Sequence, residues 1–202
     1  MRWIFPKPGC SDSRSILETA LEIHPSIALL LVQRGVDDVE KAMLMLHPKL
    51  SGLADPFLLP DMEPAVSRIL KAVDTGEQIL LYGDYDVDGV TSVTLLHRIL
   101  IEFGANVRSF LPNRLRNGYG LSKKGMDESF AAGKPNLLIT LDCGTSSKQE
   151  IAAAYAMGVE VIVIDHHECP KELPECVAIV NPKRGSNFEL CLIHISEPTR
   201  PY

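Results

Sequence analysis

The chain has 202 residues, of which 46% are hydrophobic and 23% charged, with a formal net charge of −6. That length and balance describe a globular protein able to bury a core. They exclude a membrane-spanning helix, because no apolar run approaches roughly 18 residues, and an acidic chain is not a polyanion binder over its whole surface.

Residues 13 to 50 read as short helices. Ile16, Leu17, Ala20, Leu21 and Ile23 fall at helical spacing, and Val36 to Leu46 resumes the pattern after the Arg34-Gly35 break. The turn-rich stretch LSGLADPFLLPD follows. Asp61 then predicts an N-cap for a helix with Met62, Val66, Ile69, Leu70 and Val73 on one face. After Gly76 the rhythm changes to short apolar runs, QILLYG, VRSFLP, NLLITLD, VEVIVIDHH and VAIVNP, alternating with helical patterns near 90–103, 123–132 and 146–157. Strands apolar on both faces and separated by helices predict an α/β fold, a doubly wound parallel sheet behind a short helical N-terminal region. The expected division is residues 1–75 for the helical part and 76–190 for the α/β part.

The opening MRWIFPKPGC is too short in apolar residues for a signal peptide, so the expected location is the cytoplasm. Five cysteines (Cys10, Cys143, Cys169, Cys176 and Cys191) form no CxxC pair, which leaves scattered reduced thiols rather than a zinc ribbon or disulfide framework. Five of the 20 basic residues (Arg108, Arg114, Arg116, Lys123 and Lys124) fall between 108 and 124 with no acid among them. A basic patch beside an acidic body suits a metal-dependent enzyme acting on nucleic acid, and equally a solvated loop and helix face.

Ligands of a parallel sheet bind outside the carboxyl ends of its strands. Asp84, Asp86 and Asp88 follow the first apolar run, Asp142 closes the third, and Asp165, His166 and His167 close the fourth. All three groups are therefore expected at one edge. Carboxylates and imidazoles so crowded need cations among them, and their mixed donors suit Mn²⁺, with Mg²⁺ and Zn²⁺ as alternatives. Taken singly, each group has a plainer reading: a strand-end Asp caps a helix, and a His pair is structural. The DYDVDG loop begins like a calcium-binding EF-hand, but Leu95 stands where that loop needs a bidentate Glu.

DYDVDG, LDCG and DHH, in this order, resemble the first three motifs of the DHH phosphoesterase family. The set is most similar to its RecJ-type branch, the single-strand-specific DNA exonucleases. That resemblance runs from about Leu50 to Asn187 and includes GDYDVDGVTS, the segment from Pro112 to Ser122, and Val180-Asn181-Pro182. It implies that Asp86 and Asp88 bind metal directly, that Asp84 ligates or supports, and that Asp142 bridges two ions, Mn²⁺ or Mg²⁺. It also implies that His166 is a ligand, that His167 is a ligand or a partner of the scissile phosphate, and that Asp165 orients both histidines. The implied reaction is hydrolysis of single-stranded DNA from the 5′ end in recombination and repair. A RecQ-type helicase and a single-strand-binding protein are the implied partners. Asn113, Arg114 and Tyr119 are expected to contact the strand, with capping or packing as the competing role for Asn113 and Tyr119.

The sequence departs from the family pattern in three places. The family's fourth motif, a further metal-binding Asp, does not appear, so the 202-residue chain is expected to have little activity alone. The last twelve residues, CLIHISEPTRPY, resemble no part of the family and are expected to be a non-native tail, with Cys191, His194 and Glu197 not a metal site. Family members acting on short oligoribonucleotides or cyclic dinucleotides usually carry His four residues before the Asp-x-Asp pair, where this chain has Tyr82. Those relatives, and a non-catalytic DHH-like binding module, are the alternatives.

Overall fold

A computed structural model describes residues 11–49 and 55–184. Residues 191–202, the expected tail, lie outside the described residues. The chain divides into two compact units, Met1–Ala54 and Asp55–Tyr202.

The first unit contains α1 (Ser11–Leu21), α2 (Pro25–Gln33) and α3 (Val39–Leu46). Leu17, Ala28, Leu31 and Ala42 are buried at its centre. Helix α2 starts where Pro25, preset for a first helical turn, follows His24, whose Nδ1 accepts from the Ser26 amide. Asp38 caps α3 by accepting from the Glu40 and Lys41 amides.

The second unit begins with a 3-10 turn, Pro56–Leu58, and α4 (Met62–Asp74). There follow β1 (Ile79–Gly83), α5 (Val87–Glu102), β2 (Val107–Phe110), α6 (Arg114–Asn117), α7 (Lys123–Phe130), β3 (Leu137–Leu141), α8 (Lys148–Ala156), β4 (Glu160–Ile164) and β5 (Ala178–Val180). The five strands pair in parallel in the order β2-β1-β3-β4-β5, the doubly wound arrangement expected from the alternating pattern.

Every residue of β1 and β3 is buried because both faces of the sheet are covered. Ile79, Leu81, Leu137, Ile139, Ile162 and Ala178 face a core shared with Ala65 and Ala72 of α4 and Val93 and Leu100 of α5. Leu80, Tyr82, Leu138, Val161, Val163 and Ile179 face the other, with Met126 of α7 and Ile151 and Ala154 of α8. Each buried Leu or Ile contributes on the order of 1.5–3 kcal/mol.

Two expectations are corrected by this packing. The structural division falls at residue 54/55 rather than near 75, because α4 packs on the sheet as a covering helix. Arg68, on its buried face, pairs with Glu77 and with Glu160 at the start of β4. Asp61 does not cap α4 through its side chain. Its Oδ2 instead accepts from the Ile179 amide at 3.0 Å and from Arg184, tying the helix start to β5.

Candidate metal centre

The register of the sheet aligns four polar residues in one row. Gly83, Leu141 and Ile164 pair across β1, β3 and β4, and Ile164 pairs with Val180 of β5. The next position on each strand is therefore Asp84, Asp142, Asp165 and Asn181. Each Asp of the row donates its amide to the last residue of the neighbouring strand: Asp84 to Leu141 at 3.3 Å, Asp142 to Ile164 at 2.9 Å and Asp165 to Val180 at 3.0 Å. Strand order reverses direction between β1 and β3, so the row lies at the crevice where doubly wound sheets bind ligands.

The acidic loop after β1 is shaped by helix initiation. Asp86 is the N-cap of α5, its Oδ1 accepting from the Gly89 amide at 3.1 Å. Glycine is required at 89, because a Cβ there would lie 2.4 Å from the Asp84 carbonyl oxygen. Asp84 is fully buried, and neither carboxylate oxygen has a hydrogen-bond partner among the described residues. Ligand atoms of Asp84, Asp86 and Asp142 lie within 4.8 Å of one another. Asp88, expected as a direct ligand, is not in that group: it lies exposed in the first turn of α5. With Asp84 and Asp86 as the Asp-x-Asp pair, the position four residues earlier is Leu80, again not histidine.

Asp142 joins this group to a second one, Asp142, His166 and His167, whose ligand atoms also lie within 4.8 Å. Its φ is +61°, a left-handed conformation that Asp tolerates better than most residues at a cost of roughly 1–2 kcal/mol. Burial, and then the neighbouring Asp86 charge, push the Asp142 carboxyl up to about 6, against the opposing pull of His166 and His167. His166 Nε2 lies 2.9 Å from Asp142 Oδ1. Backbone strain and raised proton affinity at one buried carboxylate mark a place where positive charge would be welcome.

Asp165 is buried and hydrogen-bonded to the segment that follows it. Its Oδ1 accepts from the His166 amide at 2.7 Å, the His167 amide at 3.1 Å and His167 Nδ1 at 2.7 Å, and its Oδ2 accepts from the Thr145 amide at 3.0 Å. Burial raises this carboxyl, but the hydrogen bonds from His167 and Thr145 outweigh burial and hold it well below the ordinary range. An ionised Asp165 accepts a hydrogen bond from His167 Nδ1–H, which in the neutral imidazole leaves Nε2 as an acceptor. The Tyr119 hydroxyl, 3.1 Å away, donates to it. Partial desolvation and the charges of Asp84, Asp142, Asp86 and Asp165 push that hydroxyl up to about 12, so it keeps its proton.

An aromatic and basic strip extends from His167. Tyr119 meets His167 and Tyr85 edge-on, with ring centroids 6.3 Å and 6.2 Å apart, and the Arg114 guanidinium lies 5.5 Å from the Tyr85 centroid. Asn113 caps α6, its side-chain oxygen accepting from the Leu115 amide at 3.0 Å, so the capping role holds for that atom. Asn117 anchors the loop by accepting from the Asn113 amide and donating to Glu128. Of the basic cluster, Arg108 donates to the Gly133 carbonyl, while Arg116, Lys123 and Lys124 are exposed.

Three residues of this region carried no role in the sequence reading. Tyr85 could have been flagged as an aromatic between two acids. Asn181 entered only as part of the Val180-Asn181-Pro182 resemblance, and its bond to Thr145, like that of Thr145 to Asp165, joins residues 36 and 20 positions apart.

With this geometry, the chain falls in a recognised class: residues 78–191 match the DHH family, N-terminal domain, and the chain belongs to that family. Among its relatives is the single-stranded-DNA-specific exonuclease RecJ of Bacillus subtilis (strain 168), 40% identical over 184 residues, 91% of this chain and 23% of the relative. The RecJ of Escherichia coli (strain K12) is 35% identical over 87% of this chain and 30% of the relative. The chain thus spans less than a third of the length of these curated relatives. A solved exonuclease RecJ bound to manganese superposes with a TM-score of 0.60 at 34% identity, over 66% of this chain and 34% of that one. RecJ of Thermus thermophilus in complex with Mn²⁺ gives 0.60 at 31% identity, over 85% and 23%. Among the described residues no helix is long and apolar enough to cross a membrane.

Proposed function

We propose that this chain supplies the cation-binding half of a nuclease that hydrolyses phosphodiester bonds of single-stranded DNA from the 5′ end. The observation that carries the reading is the buried Asp84 carboxylate, unpartnered among the described residues and within ligand distance of Asp86 and Asp142. Oxygen donors with one or two imidazoles fit Mn²⁺ or Mg²⁺. Asp84, Asp86, Asp142 and His166 would hold two cations, with Asp142 shared and Asp88 outside the ligand set. Bound there, they would acidify an attacking water and offset charge developing on the phosphoryl oxygens.

The chain's own side chains do the rest. Asp165 fixes the His167 tautomer, so that Nε2 faces the site as an acceptor and, once protonated, as a donor to the phosphate. The Tyr119 hydroxyl lies on that nitrogen and yields it when a strand arrives. Arg114 pairs with backbone phosphate, while the Tyr85 and Tyr119 rings offer stacking surfaces for bases. A RecQ-type helicase and a single-strand-binding protein, which generate and cover single strands, are the proposed partners. The proposed compartment is the cytoplasm.

The test has two parts. Electron paramagnetic resonance measures Mn²⁺ uptake by the 202-residue chain and by its Asp142→Asn variant. Residues 1–184 are also grafted in place of the matching segment of the Bacillus subtilis relative and assayed on 5′-phosphorylated single strands. Uptake lost in the variant, with Mn²⁺-dependent release of mononucleotides by the chimera, is expected. A Mn²⁺ signal equal to that in buffer would refute the reading.

A further inference from the structure

We infer that Asn181 is a positioning residue of this centre: it locks the turn after β3 and the His166-His167 segment after β4 into one arrangement. The inference rests on the cation-binding reading above and adds a residue to it.

Asn181 is fully buried at the end of β5, the fourth member of the row that contains Asp84, Asp142 and Asp165. A buried primary amide is destabilising unless its groups are satisfied, and here they are. Its Nδ2 donates to Thr145 Oγ1 at 3.1 Å and to the His167 carbonyl at 3.0 Å, and its Oδ1 accepts from the Lys183 amide at 2.9 Å. The amide has one workable orientation. Reversed, its oxygen would face the His167 carbonyl oxygen and its NH₂ would face the Lys183 N–H.

These bonds close a cycle. Asn181 holds Thr145; the Thr145 amide holds Asp165 Oδ2; Asp165 Oδ1 holds the amides of His166 and His167 and the His167 ring; and the His167 carbonyl returns to Asn181. Asp165 sets the direction of the imidazole and holds the amides of His166 and His167 from within their own segment. Asn181 holds the carbonyl side of that segment from a neighbouring strand. Loss of such an outer partner typically weakens metal binding 10–100-fold.

The experiment uses the 202-residue chain, its Asn181→Asp and Asn181→Ala variants, and Ile151→Ala, a core truncation under α8, as a control for lost stability. Three quantities are read: Mn²⁺ affinity, urea midpoint, and the ¹⁵N shifts of the His167 ring in the metal-free protein. Asn181→Asp keeps the size of the side chain but replaces its donors with acceptors. The added negative charge alone would tighten Mn²⁺ binding, so weakening can come only from lost geometry. We expect at least tenfold weaker binding in both Asn181 variants and a His167 ring that samples both neutral tautomers. Ile151→Ala should lose stability while keeping its Mn²⁺ affinity within twofold and a single tautomer. Affinity within twofold of wild type and an unchanged tautomer in the Asn181 variants would overturn the inference. So would an equal affinity loss in Ile151→Ala, or loss of the sheet signal in both Asn181 variants, which would make the residue one of the fold. If the wild-type chain takes up no Mn²⁺, the cation reading fails, and the tautomer readout still decides the role of Asn181.

Discussion

Replacing Asp84 with Asn should make the metal-free protein more stable and the metal-loaded protein comparatively weaker. The Asp84 side chain is fully buried, and both its oxygens lack hydrogen-bond partners among the described residues. An uncompensated buried charge costs on the order of 3–5 kcal/mol. A neutral amide with unmet hydrogen bonds costs about 1–3 kcal/mol. The difference favours Asn by roughly 2 kcal/mol, and relief of repulsion with Asp86 and Asp142 acts in the same direction. In a chain of this size that corresponds to a rise in Tm of roughly 4–8 °C in EDTA. With Mn²⁺ at a hundredfold excess over its Kd, the wild type should gain about 2.7 kcal/mol by mass action. The variant, lacking a ligand, should gain little, so the order of stabilities reverses. Circular dichroism melts with EDTA and with Mn²⁺ read both arms. An Asp84→Asn protein less stable than wild type in EDTA, or equal rises of both midpoints with Mn²⁺, would refute this account.

Three further outcomes follow from the same geometry. Gly89→Ala places a methyl 2.4 Å from the Asp84 carbonyl oxygen, so α5 must shift at a cost of about 1–3 kcal/mol; a urea midpoint and Mn²⁺ affinity both unchanged would disprove the close approach. Arg114→Ala should weaken binding of an oligothymidylate to the chain and flatten its salt dependence, lowering the slope of log K against log salt by about 0.7 for one lost phosphate contact; fluorescence anisotropy across a salt series checks this, and an unchanged slope would remove Arg114 from the interface. The Asp142 carboxyl, raised from 3.8 to about 6 by burial and Asp86, favours the protonated form in the folded state. Its contribution to metal-free stability is therefore full below about pH 4 and disappears as pH rises through about 6. Asp165, held low, contributes in the opposite sense, and its contribution is already complete above about pH 4. Between pH 4 and 6 the wild type should thus lose on the order of 2 kcal/mol relative to Asp142→Asn, and parallel pH–stability curves in EDTA would contradict it.

The strands were legible because their cause is local. A five-residue run such as Ile79–Gly83 or Leu137–Leu141 can be apolar at every position only if both faces are covered, and helical patterns between the runs provide the cover. Asp84, Asp142 and Asp165 were legible as a group because each directly follows such a run, and parallel strands place like ends at one edge. The bonds from Asp165 Oδ1 to His166 and His167 are also local, since these are its immediate neighbours, whereas its bond from Thr145 spans 20 residues.

Other features depended on partners far along the chain. Asp84, Asp86 and Asp88 alternate as if on one face of a strand. The backbone leaves the strand at Gly83 and turns helical at Val87, and the change of period from 2 to 3.6 carries Asp88 away from the other two. Helix α4 reads in sequence as one of the helices before it, yet its buried face meets β5, more than a hundred residues later. Asn181 belonged to a segment of family resemblance but nothing local gave its partners, and the Arg114, Tyr85, Tyr119 and His167 strip assembles from three separate connections between strands. Which residues end strands, and what chemistry they carry, is written in nearest-neighbour pattern. Which of those residues meet is set by strand register and helix phase, and these follow from the packing of the whole sheet.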